Sequence, residues 1–190
     1  MVKPLVIIVN GLPGTGKTTL ARYLAQELHL PSIHKDDIKE LLFDTLGWSD
    51  RAWSRKVGRA TFALLFHYIE TQLKAGKSFI AESNFSPIHD LGKFRELKER
   101  YGFEPFQIQC VTQGDVLFQR FQERAMGSER HPGHVEQANM EEFKLILLKG
   151  RDTPLDLGGA LLELNTTNLA TLDYTKILAA IHNFYALPSC

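Results

Sequence analysis

A glycine-rich stretch near the start of the chain has the residue types and spacing of a phosphate-binding loop. The segment "GLPGTGKT", Gly11 to Thr18, matches the pattern G-x-x-x-x-G-K-S/T. In this pattern backbone N–H groups curl around phosphate oxygens, the lysine reaches the β- and γ-phosphates, and the threonine hydroxyl binds Mg²⁺. We therefore predict that ATP and Mg²⁺ bind at Gly11, Pro13, Gly14, Thr15, Gly16, Lys17, Thr18 and Thr19.

The surroundings of this stretch favour a nucleotide loop over a chance match. It follows the apolar run Leu5 to Val9 and opens a segment, Thr18 to Leu28, with apolar residues at helical spacing. The dinucleotide pattern G-x-G-x-x-G fails because Thr19 stands where its last glycine should be. The chain has no N-K-x-D motif and no apolar run ending in Asp-Glu, which counts against a GTPase and a motor ATPase.

Two neighbouring carboxylates follow the second apolar run, in "HKDDIKE". Asp37 and Glu40 have the spacing of a capping box, so we predict Asp37 as the N-cap of the next helix. Asp36 is then left without a structural task. Because ligands of open α/β sheets bind beyond the carboxyl ends of the strands, we predict that Asp36 orients or deprotonates an acceptor hydroxyl. The alternative is an ordinary solvated loop acid.

The third apolar run also ends in polar residues, in "FIAESNF". We expect this strand to lie beside the first one, which would bring Glu82 near the metal and the γ-phosphate. Glu82 is predicted to hold metal-bound water or the acceptor, with Asn84 as a further substrate contact. A carboxylate at a strand end is otherwise simply solvated.

Three arginines in the second half of the chain could neutralise a phosphoryl group in transfer. Arg120 and Arg124 share one helical face, and Arg130 follows in the polar stretch "GSERHPGH". Arginines that close from a mobile lid stabilise the charge on the γ-oxygens and exclude water. We predict a lid over about residues 124–136, with Arg120 and Arg124 catalytic and Arg130 binding substrate. A solvated charged helix face is the alternative.

The same polar stretch contains two histidines and two glycines. His131 and His134 without a third ligand nearby are a weak zinc signal, so we expect them to hydrogen-bond to substrate or to pack in the lid. Gly127 and Gly133 are predicted hinges.

Short apolar runs alternate with helical patterns five times along the chain. This alternation predicts one α/β domain over residues 1–190, a five-stranded parallel sheet with helices on both faces and a small helical lid, as in the three-layer P-loop NTPase fold. Ser49 and Ser86 are predicted helix caps, with Pro87 opening the fourth helix. Further helices are expected over residues 136–149 and 172–186.

The amino-acid composition limits the classes of partner that the protein is expected to bind. The 190 residues carry 22 basic and 22 acidic side chains, a balance that argues against a strongly basic nucleic-acid binder. Cys110 and Cys190 are predicted not to form a structural disulfide, which fits a reducing cytoplasm. The first residues lack a leader cleavage site, and no apolar run is long enough to span a bilayer, so we expect no membrane association.

Together these pieces resemble the polynucleotide-kinase-like P-loop kinases, a group that includes chloramphenicol-phosphotransferase-like and gluconate-kinase-like enzymes. The resemblance runs from about Leu5 to Thr167 and is carried by the phosphate loop, "KDDIK", "ESN" and "QRFQERAMG". It implies that Asp36 is the general base and that Arg124, with Arg120 beside it, is the lid arginine.

The resemblance also implies roles for residues without a strong pattern of their own. Glu82-Ser83-Asn84 matches a D-T-N motif, with Glu in place of Asp. Lys39 stands where polynucleotide members have an arginine that grips substrate phosphate, and a lysine lacks its bidentate fork. The last strand, in "LLELNTTN", would bring Asn165 and Thr166 near the adenine.

We therefore predict an ATP- and Mg²⁺-dependent kinase of a small-molecule hydroxyl. A polynucleotide 5′-hydroxyl kinase is the first alternative, disfavoured by the balanced charge and by Lys39. An ATP-binding regulatory module with slow hydrolysis is the second. The sequence carries no prediction of oligomeric state.

Overall fold

The structure is a computed structural model that describes residues 3–128 and 130–186. Its strands are β1 Leu5–Gly11, β2 Ser32–His34, β3 Phe79–Ser83, β4 Glu104–Val111 and β5 Ala160–Asn165. Its α-helices are α1 Lys17–Glu27, α2 Lys35–Leu46, α3 Arg51–Lys74, α4 Leu91–Tyr101, α5 Gly114–Met126, α6 Met140–Leu147 and α7 Tyr174–Phe184. Short 3₁₀ helices lie at Pro132–His134, Gln137–Asn139 and Leu169–Thr171.

The five strands form one parallel sheet in the order β2-β3-β1-β4-β5. Asn10 of β1 is in register with Ser83 of β3, and His34 of β2 is in register with Glu82. The carboxyl ends of β1, β2 and β3 therefore meet at one edge of the sheet. The predicted α/β fold, with its parallel sheet and β3 beside β1, is confirmed.

Helices cover both faces of the sheet because the strand side chains alternate between two apolar layers. Val6 and Ile8 of β1 face α3 and α4 and pack there with Phe66 and Phe94. Leu5, Ile7 and Val9 face α1 and α7. All seven residues of β1 are buried, as a central parallel strand requires. The phosphate loop thus begins at the end of a strand that is buried along its whole length.

The predicted cap of α2 is wrong. The helix begins at Lys35, two residues earlier than expected, so Asp36 and Asp37 lie in its first turn. The Asp37 carboxylate forms an exposed ion pair with Arg22, with an Nη2–Oδ1 distance of 2.8 Å. Asp37 therefore ties α2 to α1, and both acids lie where they interact favourably with the helix dipole.

Two other predicted helix starts are also wrong. Asp50, not Ser49, caps α3, because its carboxylate accepts a hydrogen bond from the N–H of Trp53. Ser86 and Pro87 belong to a turn before α4, held closed by a 2.8 Å bond from the Ser86 N–H to the Asp90 carboxylate. The helices predicted over residues 136–149 and 172–186 are shorter, at Met140–Leu147 and Tyr174–Phe184.

None of the helices in the described ranges is both long and apolar enough to cross a membrane. Cys110 lies inside β4, where burial raises the pKa of its thiol to about 12, so it stays protonated and inert at neutral pH. The prediction about Cys190 falls outside the described residues.

Candidate active site

The phosphate loop joins the buried end of β1 to the first turn of α1. Gly14 and Gly16 adopt φ values of 89° and 80°, where a side chain would be strained. An added Cβ at Gly16 would lie 2.9 Å from Leu169, and one at Gly11 would lie 2.8 Å from the carbonyl oxygen of Cys110. The first turn of α1 has no side-chain cap, so its free N–H groups are directed at the loop interior. This is the geometry of an anion cradle.

Two polar side chains of the loop converge on Glu82. The Thr18 hydroxyl lies 3.2 Å from Glu82 Oε2, and Lys17 Nζ lies 3.7 Å from Oε1. Glu82 is buried, with 3% of the residue exposed, and it is the second-to-last residue of β3. A carboxylate and a hydroxyl oxygen at this separation are the donors that a hard divalent cation prefers.

His34 is a member of this cluster that sequence reasoning missed. Its Nδ1 lies 3.2 Å from Glu82 Oε2 and its Nε2 lies 3.0 Å from the Ser32 hydroxyl, in a site where only 5% of the residue is exposed. The ring and the Thr18 hydroxyl therefore contact the same carboxylate oxygen and fix its orientation together. The only available signal was strand register, which pairs His34 with Glu82 and appears once the order of the sheet is known.

Asp36 is a second carboxylate near Lys17, and it contacts two other cations. Its Oδ1 lies 3.1 Å from Lys35 Nζ, and its Oδ2 accepts a 2.9 Å hydrogen bond from Arg130. Burial opposes ionisation, but the positive charges of Lys35 and Arg130 outweigh it and hold the pKa of Asp36 well below its usual value. The carboxylate is thus ionised at every physiological pH.

Arg124 and Arg130 are linked through a single buried carboxylate. Glu136, 7% exposed, accepts hydrogen bonds of 2.9 and 3.1 Å from Arg124 and one of 2.6 Å from Arg130. Burial raises the pKa of Glu136, but the two arginines more than reverse this, so its net shift is downward. The Nε atoms of both arginines are buried, and neither has a hydrogen-bond partner among the described residues. Those two donors remain available to an anion.

The segment that carries Arg130 is docked on α2. His134 lies 2.8 Å from Glu40, and His131 stacks on Phe43 with ring centroids 5.2 Å apart. Gly133 is not the predicted hinge: an added Cβ would lie 2.6 Å from the Phe43 ring, so the glycine is there for close packing. Both histidines therefore serve lid packing. Within residues 3–128 and 130–186 no group of three or more His, Cys, Asp or Glu side chains forms a metal cluster.

Arg120 differs from the other two arginines. Its guanidinium donates to the carbonyl oxygens of Thr166 and Thr167, at 2.9 and 2.7 Å, which fixes it beside the end of β5. Thr166 itself is buried, and its hydroxyl bonds to Thr112 and to a β4 carbonyl, so its hydrogen-bonding groups are used within the protein. Asn165 is exposed, and its side chain accepts the N–H of Thr167.

The family of the chain follows from comparison with known proteins. A family model described as an AAA domain matches residues 6–146. The chain belongs to this AAA-domain family. A protein from Chloroflexus aurantiacus J-10-fl, described as a candidate kinase, is 41% identical; the alignment covers 97% of this chain and 100% of that one, with a TM-score of 0.88.

A sugar kinase from Janibacter sp. HTCC2649 shares the fold of this AAA-domain protein, with 14% identity, a TM-score of 0.56, and coverage of 98% of this chain and 96% of that one. None of the curated proteins compared with the chain matches it.

Two connected pockets of the AAA-domain protein share its reactive side chains. One, of about 450 Å³, runs along the phosphate loop and includes Thr18, Thr19 and Arg120. The other, of about 170 Å³, lies between α2, the end of β3 and the lid, and includes Lys39, Glu82 and Asn84. Four side chains line both pockets: Lys17, Asp36, Arg124 and Arg130. The structure thus brings most of the predicted residues together in these two pockets; Gly11, Thr15, Asn165 and Thr166 line neither.

Proposed function

We propose that the protein is a kinase that transfers the γ-phosphoryl group of ATP to a hydroxyl of a small molecule. The observation that carries this proposal is the boundary between the two pockets, which Lys17 and Asp36 both line, so a phosphate group at Lys17 and an acceptor hydroxyl at Asp36 would face a shared space. We assign the larger pocket, beside the phosphate loop, to the triphosphate and the smaller one to the part of the acceptor that carries the hydroxyl. The kinase description of the Chloroflexus relative supports the same conclusion.

The residues present fit a magnesium nucleotide. The glycine cradle and Lys17 would hold the triphosphate, and Thr18, with Glu82 beside it, would hold Mg²⁺. The metal would supply charge neutralisation at the β- and γ-oxygens. Arg120, fixed next to the end of β5, is better placed to support the nucleotide base than the transferring group, so we assign it to the base side of the site.

Asp36 first positions the acceptor and accepts its proton only late in the reaction. With its pKa held low, it is a weak base while Arg130 is paired with it. An acceptor oxygen attacks the γ-phosphorus, the bond to the β–γ bridging oxygen breaks, and ADP leaves with that electron pair. The hydroxyl proton passes to Asp36, whose basicity rises as Arg130 turns to the γ-oxygens. Late proton transfer of this kind suits the loose transition state of phosphoryl transfer.

A panel of sugars, nucleosides and cyclitols with labelled ATP tests the proposal. We expect transfer to at least one small hydroxyl compound, and we expect Asp36→Asn to reduce it about a hundredfold, as for loss of a positioned acid–base group. Asp37→Asn is the matched control, since that neighbouring carboxylate is exposed and paired with Arg22, and it should keep most activity. ATP hydrolysis that persists in Asp36→Asn with no acceptor would favour a regulatory module instead.

A further inference from the structure

A third cavity, of about 680 Å³, continues from the acceptor pocket along α3. Lys35, Lys39, Arg51 and Asn84 line both cavities, so the two are connected. We call this cavity the α3 groove. One of its remaining walls is the face of α3 that carries Arg55 and Arg59. The other is formed by the segment before α4 and by Lys93 in the first turn of α4. A ligand that reaches Asp36 through the acceptor pocket therefore has room to extend into it.

The α3 groove concentrates positive charge in a chain with no net charge. Six cationic side chains line it: Lys35, Lys39, Arg51, Arg55, Arg59 and Lys93. Three carboxylates offset them, namely Asp90 in the lining, Asp36 beside Lys35, and Glu142, which pairs with Arg51 and Arg55. Three positive charges remain in excess, which makes the groove a local binding field for an anion.

Three of these cations have no carboxylate partner within 4.0 Å in the described part of the chain: Lys39, Arg59 and Lys93. Lys39 is the most informative, because it is only 7% exposed and its ammonium makes one hydrogen bond, to Ser54 at 3.0 Å. Burying a charge without a counterion is costly. Gly58 of α3 lies beside it, since an added Cβ there would be in ordinary contact with Lys39 Nζ at 3.9 Å.

The walls of the groove suit a small molecule better than a nucleic acid strand. Proteins that bind single strands stack bases on exposed aromatic rings along a basic groove. The α3 groove has two aromatic rings in its lining: Phe62, which is partly buried and lies under Lys35 at 5.9 Å, and the smaller imidazole of His89. Its volume falls within the range of about 300–1,000 Å³ for small-molecule sites.

We propose that the acceptor of this kinase carries an anionic group, a phosphate or a carboxylate, that binds Lys39, Arg59 and Lys93 in the α3 groove while its hydroxyl lies at Asp36. This inference rests on the proposed kinase activity, whose acceptor class it specifies. An acceptor of this kind is the product of a reaction that has already phosphorylated or oxidised a polyol or nucleoside.

Matched acceptors that differ in charge test the inference. Glucose, gluconate and glucose 6-phosphate form one set, and a nucleoside with its 3′-monophosphate forms another. With the full chain and saturating ATP and Mg²⁺, we expect the preferred acceptor to be a charged member, with kcat/KM at least about tenfold above its neutral parent. The carboxylate and phosphate arms show which anion the groove takes.

Two variants of the groove sharpen the test. Arg59→Gln and Lys93→Gln should each raise the KM for the charged acceptor about tenfold, with kcat and the KM for ATP little changed. Lys56→Gln is the matched control, because this exposed lysine of α3 lies outside the groove lining. Equal use of neutral and charged members, or groove variants that behave like Lys56→Gln, would overturn the inference and leave the kinase standing.

Two further outcomes are distinct from these. Preference for a 5′-hydroxyl oligonucleotide over every small acceptor, with affinity that falls steeply with salt, would overturn the small-molecule form of the inference. No transfer to any acceptor, charged or neutral, would instead reject the proposed function itself.

Discussion

On the nucleotide side of the site Lys17, Arg124 and Arg130 are paired with internal carboxylates, whereas in the α3 groove several cations are not. Lys17 lies near Glu82, and Arg130 is held by Asp36 and Glu136. Lys39, Arg59 and Lys93 have no such partner in the described chain. Both sides are basic, but only the groove presents its charge without prior rearrangement.

This difference suggests different kinds of binding on the two sides. An incoming triphosphate must compete with Glu82, Glu136 and Asp36 for the cations it meets, so nucleotide binding would be coupled to a change of ion-pair partners. An anion that binds Lys39, Arg59 or Lys93 displaces no carboxylate of the described chain. The first arrangement ties lid geometry to the presence of nucleotide, and the second supplies affinity from a preformed field.

Removal of Lys17 should give the largest effect, and it should be confined to the nucleotide side. We expect Lys17→Met to reduce kcat about 100- to 1,000-fold, as for loss of a preorganised charge at the transferring group. The KM for the acceptor should stay within about threefold, because the groove is intact. Initial-rate kinetics with both substrates measure this, with the exposed Lys77→Met as control. Activity within tenfold of the starting protein would contradict the comparison.

The loop that we propose binds the nucleotide can be located from the sequence because a backbone motif encodes it. The glycines, Lys17 and Thr18 have fixed spacing, and β1 before them is a continuous apolar run. The sheet followed from alternation of strands and helices. Helix starts were less predictable, as at Asp37, because several polar residues near each start can cap, and tertiary contacts such as the ion pair with Arg22 decide among them.

The acceptor side depends on tertiary packing that no short pattern encodes. Arg55 and Arg59 are one helical turn apart and have the pattern of a solvated helix face. Only the packing of α3 beside α4, which carries Lys93, makes them part of a groove. The contact between Arg130 and Asp36 joins residues 94 positions apart. His34 and Glu82 meet only through strand register. The His34–Glu82 pairing depends on the order of the strands, and the other contacts depend on how the lid and the helices pack. A short sequence pattern encodes neither.

A substitution of Glu136 tests whether carboxylates hold the arginines of the nucleotide side in place. Glu136→Gln removes the charge that bridges Arg124 and Arg130 and should destabilise the protein by about 2 kcal/mol, less than the roughly 3–5 kcal/mol for breaking a fully buried pair, because Arg124 is partly exposed. Because the pKa of Glu136 is lowered from 4.5 in the folded state, its stabilisation is present above that pH and is lost as the pH falls below it.

Thermal melting of Glu136→Gln and the starting protein at several pH values measures this effect. The difference in melting temperature should be largest near neutral pH and should shrink below about pH 4.5, the usual pKa of the carboxyl. Glu123→Gln, an exposed change on α5, should alter neither stability nor its pH dependence. A difference that is constant across this pH range would show that the ion pairs do not hold the lid.

Lys39 gives the smallest effect and the sharpest contrast between the two sides. Burial, aided by the nearby charge of Lys35, lowers its pKa from 10.5 to about 8, a cost of about 3 kcal/mol at neutral pH at 1.4 kcal/mol per unit. Lys39→Met removes this cost but leaves the Ser54 hydroxyl without its partner, which takes back about 1–2 kcal/mol. We therefore expect the variant to be more stable by about 1 kcal/mol.

The sign of the pH dependence distinguishes this explanation from simple repacking. Below about pH 8 the lysine is charged in both states and the full penalty applies; between pH 8 and 10.5 the folded form is neutral while the unfolded form is charged, so the penalty fades. Urea unfolding should show the gain of Lys39→Met at pH 7 and its decline by pH 9.5, while Lys56→Met shows neither. A variant that is less stable at pH 7 would mean that the groove does not hold an uncompensated charge, and the contrast with the paired nucleotide side would fail.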